Sequence, residues 1–250
     1  MLWLVLLLAV AVGLFVGLLG GGGSILTVPL LAYVAGLPPE QAIAGSLFVV
    51  AVTSAVALLP HARRGAVQWR VGAVFGVSSM AGALLGGLVG ARLPGALLMV
   101  LFAVMMVASA IGMIRGRKPV DPATAPTPLW QSLLQGLGIG VAVGIVGAGG
   151  GFMVVPALVL LAKLPMGQAV ATSLMVIAMN SAAGLGGHLT GTSLDWSWVL
   201  PVTGAAVVGA LVGAPLTHRV PQQALKEGFG WFVLVMGAFV LVREGLALLG

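Results

Sequence analysis

The sequence contains no cysteine and very little charge. Without cysteine, neither disulfide bonds nor thiol chemistry can contribute to the fold or the function. Only 6% of the 250 residues are charged, whereas about a quarter are charged in ordinary soluble domains. Because 60% of the residues are hydrophobic, the chain has too few polar side chains to cover a surface that faces water. The composition therefore predicts an integral membrane protein.

The apolar runs also lack the polar–apolar alternation that a membrane β-barrel needs. They are continuous and far longer than the roughly 10-residue strands of such barrels, so the spans are predicted to be helical. The net charge is +6, but the 11 lysines and arginines are spread through short loops. That distribution is typical of topology signals and does not predict nucleic-acid binding. The N-terminus has no basic region before its apolar run, which favours a retained span over a removed signal peptide.

Acidic residues are few and lie only in loops or near the ends of predicted spans. They are Glu40, Asp121, Asp195, Glu227 and Glu244. Carriers of Na⁺, protons or metal cations normally place carboxylates inside the membrane, so this pattern argues against a cation carrier. The spans also hold no Ser–His–acid set and no metal-ligand cluster. The sequence therefore predicts no enzyme, no metal and no cofactor.

The chain contains an internal repeat. Residues 17–94 align with residues 144–221 at a constant offset of 127, without a gap and with 28 identical pairs in 78 positions. A repeat of about 127 residues is far longer than a solenoid unit. It has the size of a duplicated half of a membrane transporter, in which the binding site lies between the halves.

Ten apolar stretches define the predicted spans. They cover residues 2–19, 25–36, 41–60, 71–91, 95–114, 131–146, 152–162, 168–187, 197–217 and 229–249. A span needs about 20 residues, so six stretches qualify, and the four that open the two halves are short or interrupted by glycine. The domains are predicted as an N-terminal transmembrane repeat (1–114), a polar, proline-rich cytoplasmic linker (115–130) and a C-terminal transmembrane repeat (131–250).

Glycine tracts break the first span of each half. Gly20–Gly23 interrupt the first half, and Gly147 and Gly149–Gly151 interrupt the second. Glycine is disfavoured inside helices, so each tract predicts a helix–break–helix hairpin that meets near mid-membrane. If the hairpins return to their starting side, the halves are inverted and nine of the 11 basic residues are cytoplasmic; parallel halves place seven there. The positive-inside rule favours inversion. The predicted fold is an all-α polytopic membrane protein with two homologous four-segment repeats, inverted, each opening with a Gly-broken helical hairpin.

The glycine tracts are also the predicted substrate site. Backbone groups freed by a helix break cannot face lipid, so they are expected to line a polar cavity, where helix N-termini favour an anion. The predicted substrate-binding residues are Gly20, Gly22, Gly23, Ser24, Ser46, Thr53, Gly147, Gly149, Gly150, Gly151, Thr172, Ser173 and Asn180. The alternative is that the glycines only allow close helix packing and that the polar side chains make ordinary interhelical hydrogen bonds.

Two histidines, His61 and His188, are equivalent by the repeat and lie near the far end of the polar helix of each half. Histidine titrates near neutral pH, so one interpretation is a relay for a proton or an anion. The alternative is a histidine at the membrane interface, hydrogen-bonded to a loop. Gly82, Gly86 and Gly90, with Gly209 and Gly213, form GxxxG-type faces whose ordinary role is helix packing.

The motif G-x-x-G-x-G-G-G-x-x-x-x-P, followed by LP-x-x-x-A-x-x-(T/G)-S, resembles the TauE/SafE sulfite exporter family, also called the toluene sulfonate uptake permease superfamily. The resemblance covers nearly the whole chain. The matching residues are Gly20, Gly22, Gly23 and Pro29 in the first half, and Gly147, Gly149, Gly150, Gly151 and Pro156 in the second. Ser24 stands where the second half has Gly151, and Gly45 where it has Thr172, so the two half-sites differ chemically.

The resemblance implies a multi-pass transporter in a bacterial or archaeal inner membrane. Its implied substrates are small sulfur-containing anions such as sulfite, sulfoacetate or related organosulfonates, and the predicted mechanism is export by alternating access. The predicted partners are the anionic substrate and the lipid bilayer, with no nucleic acid; the sequence leaves a homo-oligomer open. The alternative function is a non-transporting membrane scaffold or assembly protein whose glycines serve helix packing.

Overall fold

The computed structural model describes residues 2–115, 129–146, 151–160, 162–189, 192–217 and 219–249. All regular elements in these ranges are helical. Nine of them are α-helices: α1 (Leu2–Leu19), α3 (Pro39–Arg63), α4 (Trp69–Gly90), α5 (Gly95–Arg115), α6 (Leu129–Val146), α7 (Gly151–Leu160), α8 (Met166–His188), α9 (Trp196–Leu216) and α10 (Gln222–Leu249). The predicted all-helical fold is confirmed.

The remaining element is a composite helix, α2, over residues 21–34. It consists of a 3₁₀ segment (Gly21–Leu26), one α turn (Thr27–Pro29) and a π segment (Leu30–Val34). Pro29 has no backbone N–H, so it cannot complete the hydrogen-bond ladder of a regular helix. The helix type changes at that residue, but the repeat-related Pro156 lies within the regular helix α7, so the packing of α2 also contributes.

Each predicted apolar stretch coincides with one helix, and the largest difference is at the start of α10. Hydropathy placed that start at residue 229, whereas the helix begins at Gln222. The added residues include glutamines, a lysine and a glutamate. They have good helix propensity but no preference for lipid, so hydropathy misses them while the helix continues. The linker 116–128 lies outside the described residues.

Six helices are long and apolar enough to cross a membrane among the residues described. They are Leu2–Leu19, Pro39–Arg63, Trp69–Gly90, Gly95–Gly112, Met166–His188 and Trp196–Leu216. Helices α2 and α7 have only 14 and 10 residues. At 1.5 Å per residue they reach about half to two-thirds of a hydrocarbon core about 30 Å thick. The protein is therefore a multi-pass membrane protein with two partial spans.

The helix starts reproduce the sequence repeat. Four pairs of helices, α1/α6, α3/α8, α4/α9 and α5/α10, begin 127 residues apart. That is the offset at which the two halves of the sequence align. The two halves thus use the same helical plan.

Helices of one half pack along helices of the other. In the contact between α1 and α9, a Cβ atom at Gly13 would lie 1.8 Å from the carbonyl oxygen of Ala206, and one at Gly17 would lie 2.4 Å from that of Ala210. Such distances mean that the two backbones touch, which only small residues permit. Both contacts advance in the same direction along the two chains, so α1 and α9 run parallel.

The contact between α6 and α4 is the repeat-related copy of this arrangement. A Cβ atom at Gly140 would lie 2.0 Å from the carbonyl oxygen of Ser79, and one at Gly144 would lie 2.1 Å from that of Ala83. The GxxxG-type glycines of α4 and α9 lie in these same two contacts. Their packing role is as the sequence predicted, and each half is held by a helix from the other.

Candidate functional site

The site begins where the first helix of the chain breaks. Gly20 separates α1 from α2 and has a φ of +69°, a left-handed conformation that glycine adopts without a steric penalty. A Cβ atom there would lie 2.6 Å from Ser173 Oγ. Ser173 of α8 therefore lies next to the break.

The first turns of α2 and α7 meet directly. A Cβ atom at Gly21 would lie 1.9 Å from Gly151 Cα and 2.4 Å from Ile177 Cδ1. The two N-terminal ends, one from each half, therefore touch through their backbones beside the middle of α8. This contact is packing, and it occupies the position where the sequence predicts room for an anion.

The other glycines of the predicted site are described only in part. Gly22 and Gly23 continue the 3₁₀ segment that opens α2. Gly147, Gly149 and Gly150 lie outside the described residues. In the first half, the predicted helix–break–helix arrangement is present, with α1 ending at Leu19 and α2 beginning at Gly21.

Three predicted serines are buried and make hydrogen bonds within their own helices. The hydroxyl of Ser24 donates to the Gly21 carbonyl, and that of Ser46 donates to Ile43 O at 2.8 Å. Ser173 donates to Val170 O at 2.8 Å. A hydroxyl that donates to its own helix retains lone pairs as acceptors, but its proton is already engaged.

Buried polar groups without a partner lie on the middle turns of α3 and α8. Thr53 Oγ1, Ser54 Oγ and Asn180 Nδ2 have no hydrogen-bond partner among the described residues, and all three side chains are at most 1% exposed. Asn180 uses its other atom, Oδ1, to accept a hydrogen bond from Ser79 Oγ at 2.7 Å. A buried donor left unpaired costs about 1–3 kcal/mol, so the arrangement calls for a ligand or a functional explanation.

The predicted substrate-binding residues do not include Thr27, Ser54 or Ser79. Thr27 Oγ1, on α2, is also buried without a partner among the described residues. The signal for Ser54 is in the repeat, because Ser181 stands at the matching position. Thr27 and Ser79 have no such signal, since their repeat-related residues are Val154 and Ala206.

Thr172 lies away from the glycine break, against helix α4. Its hydroxyl accepts a hydrogen bond from the backbone N–H of Gln68 at 3.0 Å. A Cβ atom at Gly72 would lie 3.1 Å from its methyl group, and in the other half one at Gly45 would lie 3.0 Å from Val199 Cγ2. A larger residue on α8 thus faces glycine on α4, and glycine on α3 faces a larger residue on α9. The Gly45/Thr172 difference reflects packing.

His61 and His188 lie in equivalent positions against the last turns of α1 and α6. His61 Nε2 is 3.4 Å from Gly17 O, and His188 Nε2 is 3.0 Å from Gly144 O. Carbonyls in the last turn of a helix have no partner within that helix. Both histidines are buried and bond a helix end, which differs from the interfacial, loop-bonded alternative.

Among the side chains whose exposure the structure describes, no Asp, Glu, Lys or Arg is buried. Across the same residues, no three of His, Asp or Glu come close enough to hold a metal ion. The buried polar groups near the glycine break and on the middle turns of α3 and α8 are backbone amides, hydroxyls and the Asn180 carboxamide. Such groups can bind an anion without trapping it in a strong ion pair.

The fold and this junction define a membrane protein of two repeats that meet at paired broken helices. A family model described as Sulfite exporter TauE/SafE matches residues 5–240. The chain belongs to this family of membrane transporters, and it is a multi-pass cell-membrane protein.

Relatives with similar sequences extend from bacteria to an archaeon. A "Probable membrane transporter protein" of Xylella fastidiosa (strain 9a5c) is 31% identical over 244 residues, which cover 95% of this chain and 94% of the relative. Proteins with similar names from Methanocaldococcus jannaschii and Bacillus subtilis (YdhB) are 28% and 26% identical over at least 95% of both chains. These names indicate a transporter rather than an enzyme. No solved structure matches the chain.

Proposed function

We propose that the protein exports small sulfur-containing anions, such as sulfite, sulfoacetate or related organosulfonates, by alternating access. The observation that carries the proposal is the meeting of the α2 and α7 N-termini at Gly21 and Gly151. The first backbone N–H groups of a helix lack partners within it, and the helix dipole is positive at that end. When two such ends lie side by side, backbone N–H donors from both halves can bind one anion.

The proposed site also includes polar side chains on the middle turns of α3 and α8. Thr53 and Ser54 on α3 and the amide of Asn180 on α8 hold unpartnered polar atoms among the described residues. The oxygens of a sulfite or sulfonate group accept hydrogen bonds, so such an anion would satisfy these donors. Because the donors are uncharged, the anion would bind with moderate affinity and could leave on the other side.

Substrate binding requires α2 and α7 to separate. Gly21 and Gly151 touch, so an anion cannot lie between them in this conformation. Separation of the two short helices would admit the anion, and their return would close the site. This is the alternating-access step of the proposal, with movement of broken helices at the interface of two repeats.

We also infer that the two halves are inverted. Cβ atoms at Gly72 and Gly87 on α4 would contact Thr172 and Gly184 on α8, respectively, so these two helices run parallel. The stretch 189–195 between α8 and α9 is too short to recross a membrane, so α9 runs opposite to α8. Helix α4 and its repeat-related partner α9 therefore run in opposite directions, which is the relationship that inversion requires.

The direct test is flux in proteoliposomes. Radiolabelled sulfite and a panel of organosulfonates should enter or leave vesicles at a higher rate when the vesicles contain the protein than when they do not. Sulfate and chloride serve as comparison anions of similar charge. The proposal would be contradicted if no anion of the panel showed a flux above that measured with empty vesicles.

A pair of variants tests the proposed site itself. Asn180→Leu removes both atoms of the amide, whereas Ser79→Ala removes the hydroxyl bonded to it and keeps the amide. An interhelical hydrogen bond in a membrane contributes about 0.6 kcal/mol on average, so both variants should fold. Sulfite flux should fall at least about tenfold in Asn180→Leu, which corresponds to about 1.4 kcal/mol, and persist in Ser79→Ala. Equal flux in the two variants would remove Asn180 from the site.

A further inference from the structure

A cavity of about 350 Å³ lies between α5, α6 and α7, apart from the proposed anion site. Its size is within the range of about 300–1,000 Å³ that ligand pockets occupy. The side chains and backbone that line it include Met105, Ser109, Gly112, Ile139, Met153 and Pro156. The Ser109 hydroxyl is the one polar side-chain group of the described lining, so the cavity suits hydrocarbon and not a hydrated anion.

The repeat-related position in the other half is filled. Residues 127 positions after Met105 and Gly112 are Phe232 and Phe239. Phe232 stacks on Phe15 with ring centroids 5.3 Å apart, and Phe239 meets the Tyr33 ring edge-on at 6.4 Å. Aromatic rings thus contact α1 and α2 in one half, whereas the repeat-related positions beside the cavity are Met105 and Gly112.

The cavity opens toward lipid. Ala108 and Gly112, which line it, are exposed, as are the neighbouring apolar residues Val104 and Ile111. They lie in or beside the candidate span Gly95–Gly112. At that depth the bilayer presents acyl chains and no water, so hydrocarbon is the material in contact with the opening.

We propose that this cavity binds one acyl chain of a membrane phospholipid. The chain takes the place that Phe239 and Phe232 fill in the other half, and it packs against Met153 and Pro156 of the short helix α7. Its binding is driven by contact with apolar walls and needs no headgroup recognition. The proposed site therefore lies next to α7, and this inference stands independently of which anion is transported.

Photolabelling tests the proposal. The protein is reconstituted into phosphatidylethanolamine vesicles doped with a phosphatidylcholine that carries a diazirine on one acyl chain. Peptide mass spectrometry then compares adducts on the cavity helices α5 and α7 with adducts on the exposed face of α9. Labelling of the cavity should exceed that of α9 several-fold.

A matched pair of variants tests whether the cavity causes the stronger labelling of α5 and α7. A Cβ atom at either Gly112 or Gly204 would meet nothing within 4 Å, so Gly112→Phe should fill the cavity and Gly204→Phe should add a ring to the exposed face of α9. Cavity labelling should fall to the α9 level in Gly112→Phe and stay unchanged in Gly204→Phe. Ser109→Met, which copies Met236 of the other half, provides a smaller filling if Gly112→Phe does not fold.

Thermal unfolding gives a second readout. In delipidated detergent, added phosphatidylethanolamine should raise the Tm of the unmodified protein and of Gly204→Phe, but not that of Gly112→Phe. Cavity labelling no greater than that of α9, or labelling that persists when the cavity is filled, would overturn the proposal.

Discussion

Glycine at position 20 meets two constraints at once. Its φ of +69° lies in the left-handed region, and its α-carbon faces Ser173 and the backbone of Val170. Gly65 has a nearly identical φ of +68°, but a Cβ atom there would meet nothing within 4 Å. Both residues have a positive φ, but Gly20, whose ψ is −132°, also has close neighbours around its Cβ position.

Gly20→Ala should destabilise the protein more than Gly65→Ala. A left-handed alanine costs about 1–2 kcal/mol, and only this strain acts at Gly65. At Gly20 the new methyl group would also displace Ser173 Oγ, which lies 2.6 Å from the Cβ position. Thermal unfolding of both variants in the same detergent measures the difference. Equal losses of Tm would mean that the new methyl group at position 20 fits without displacing Ser173.

Single residues were predicted with uneven success. The repeat pointed to a break at Gly20, where α1 ends, because both half-sequences carry the same signal. It could not show that the Thr172 hydroxyl turns toward Gln68. A helical period assigns a residue to a face, but the neighbour on that face depends on tertiary packing. The contact of Ser79 with Asn180 likewise depends on tertiary packing, so the sequence did not predict it.

At the scale of helices, the two buried histidines lie at the C-terminal ends of α1 and α6. His61 and His188 each lie within hydrogen-bonding distance of a carbonyl in the last turn of α1 or α6. In the first half a second donor is present, because Thr217 Oγ1 donates to Gly17 O at 3.1 Å. Gly90 occupies the matching position in the second half. The two helix ends are thus capped unequally.

His188→Ala should cost more stability than Thr217→Ala. Loss of His188 removes the described side-chain donor to the Gly144 carbonyl, and an unpaired buried group costs about 1–3 kcal/mol. After loss of Thr217, His61 still lies 3.4 Å from the Gly17 carbonyl, and the other acceptor of Thr217, the Leu18 carbonyl, is only part-buried, so the cost should be near the 0.6 kcal/mol average for such bonds. Thermal unfolding compares the two variants. If Thr217→Ala proves the more damaging, the histidine is not the main cap.

Close contact between α4 and α6 gives a second prediction for helices. On α6, a Cβ atom at Gly140 would lie 2.0 Å from Ser79 O, whereas one at Gly138 would meet nothing within 4 Å. Gly140→Ala should force the helices apart at a cost of about 1–3 kcal/mol. Gly138→Ala should be neutral or stabilise the helix by up to about 1 kcal/mol. Unfolding of both variants checks this, and similar stabilities would contradict the observed contact.

Helices were the most predictable part of the fold. Lipid requires every backbone group to be satisfied within the spanning segment, so long apolar runs such as 71–91 could only be helical. Glycine and proline marked the ends, as at Pro38 and Gly36. The composite character of α2 was not predictable, because a 3₁₀ or π turn depends on what the short helix packs against.

For the whole molecule, the exchange of helices between halves was beyond sequence reasoning. The repeat established that α1 corresponds to α6, but not that α1 packs on α9 while α6 packs on α4. Small residues line all four of these helices, so several pairings would have satisfied the sequence pattern. The observed exchange means that neither half buries its glycine faces alone. In the proposed transport cycle, rocking of one half against the other would therefore carry these helices along.

Inversion of the halves has a direct test in the sidedness of two equivalent loops. Pro94 and Pro221 are 127 residues apart, exposed, and uncharged, so replacing them does not disturb the charge pattern that sets orientation. Because the chain has no cysteine, Pro94→Cys and Pro221→Cys each create a single labelling site. In intact cells a membrane-impermeant maleimide should label Pro94→Cys, whereas Pro221→Cys should react only after permeabilisation. Parallel repeats would expose both cysteines on one side, and that result would also remove the physical basis for a site shared by two opposed helix ends.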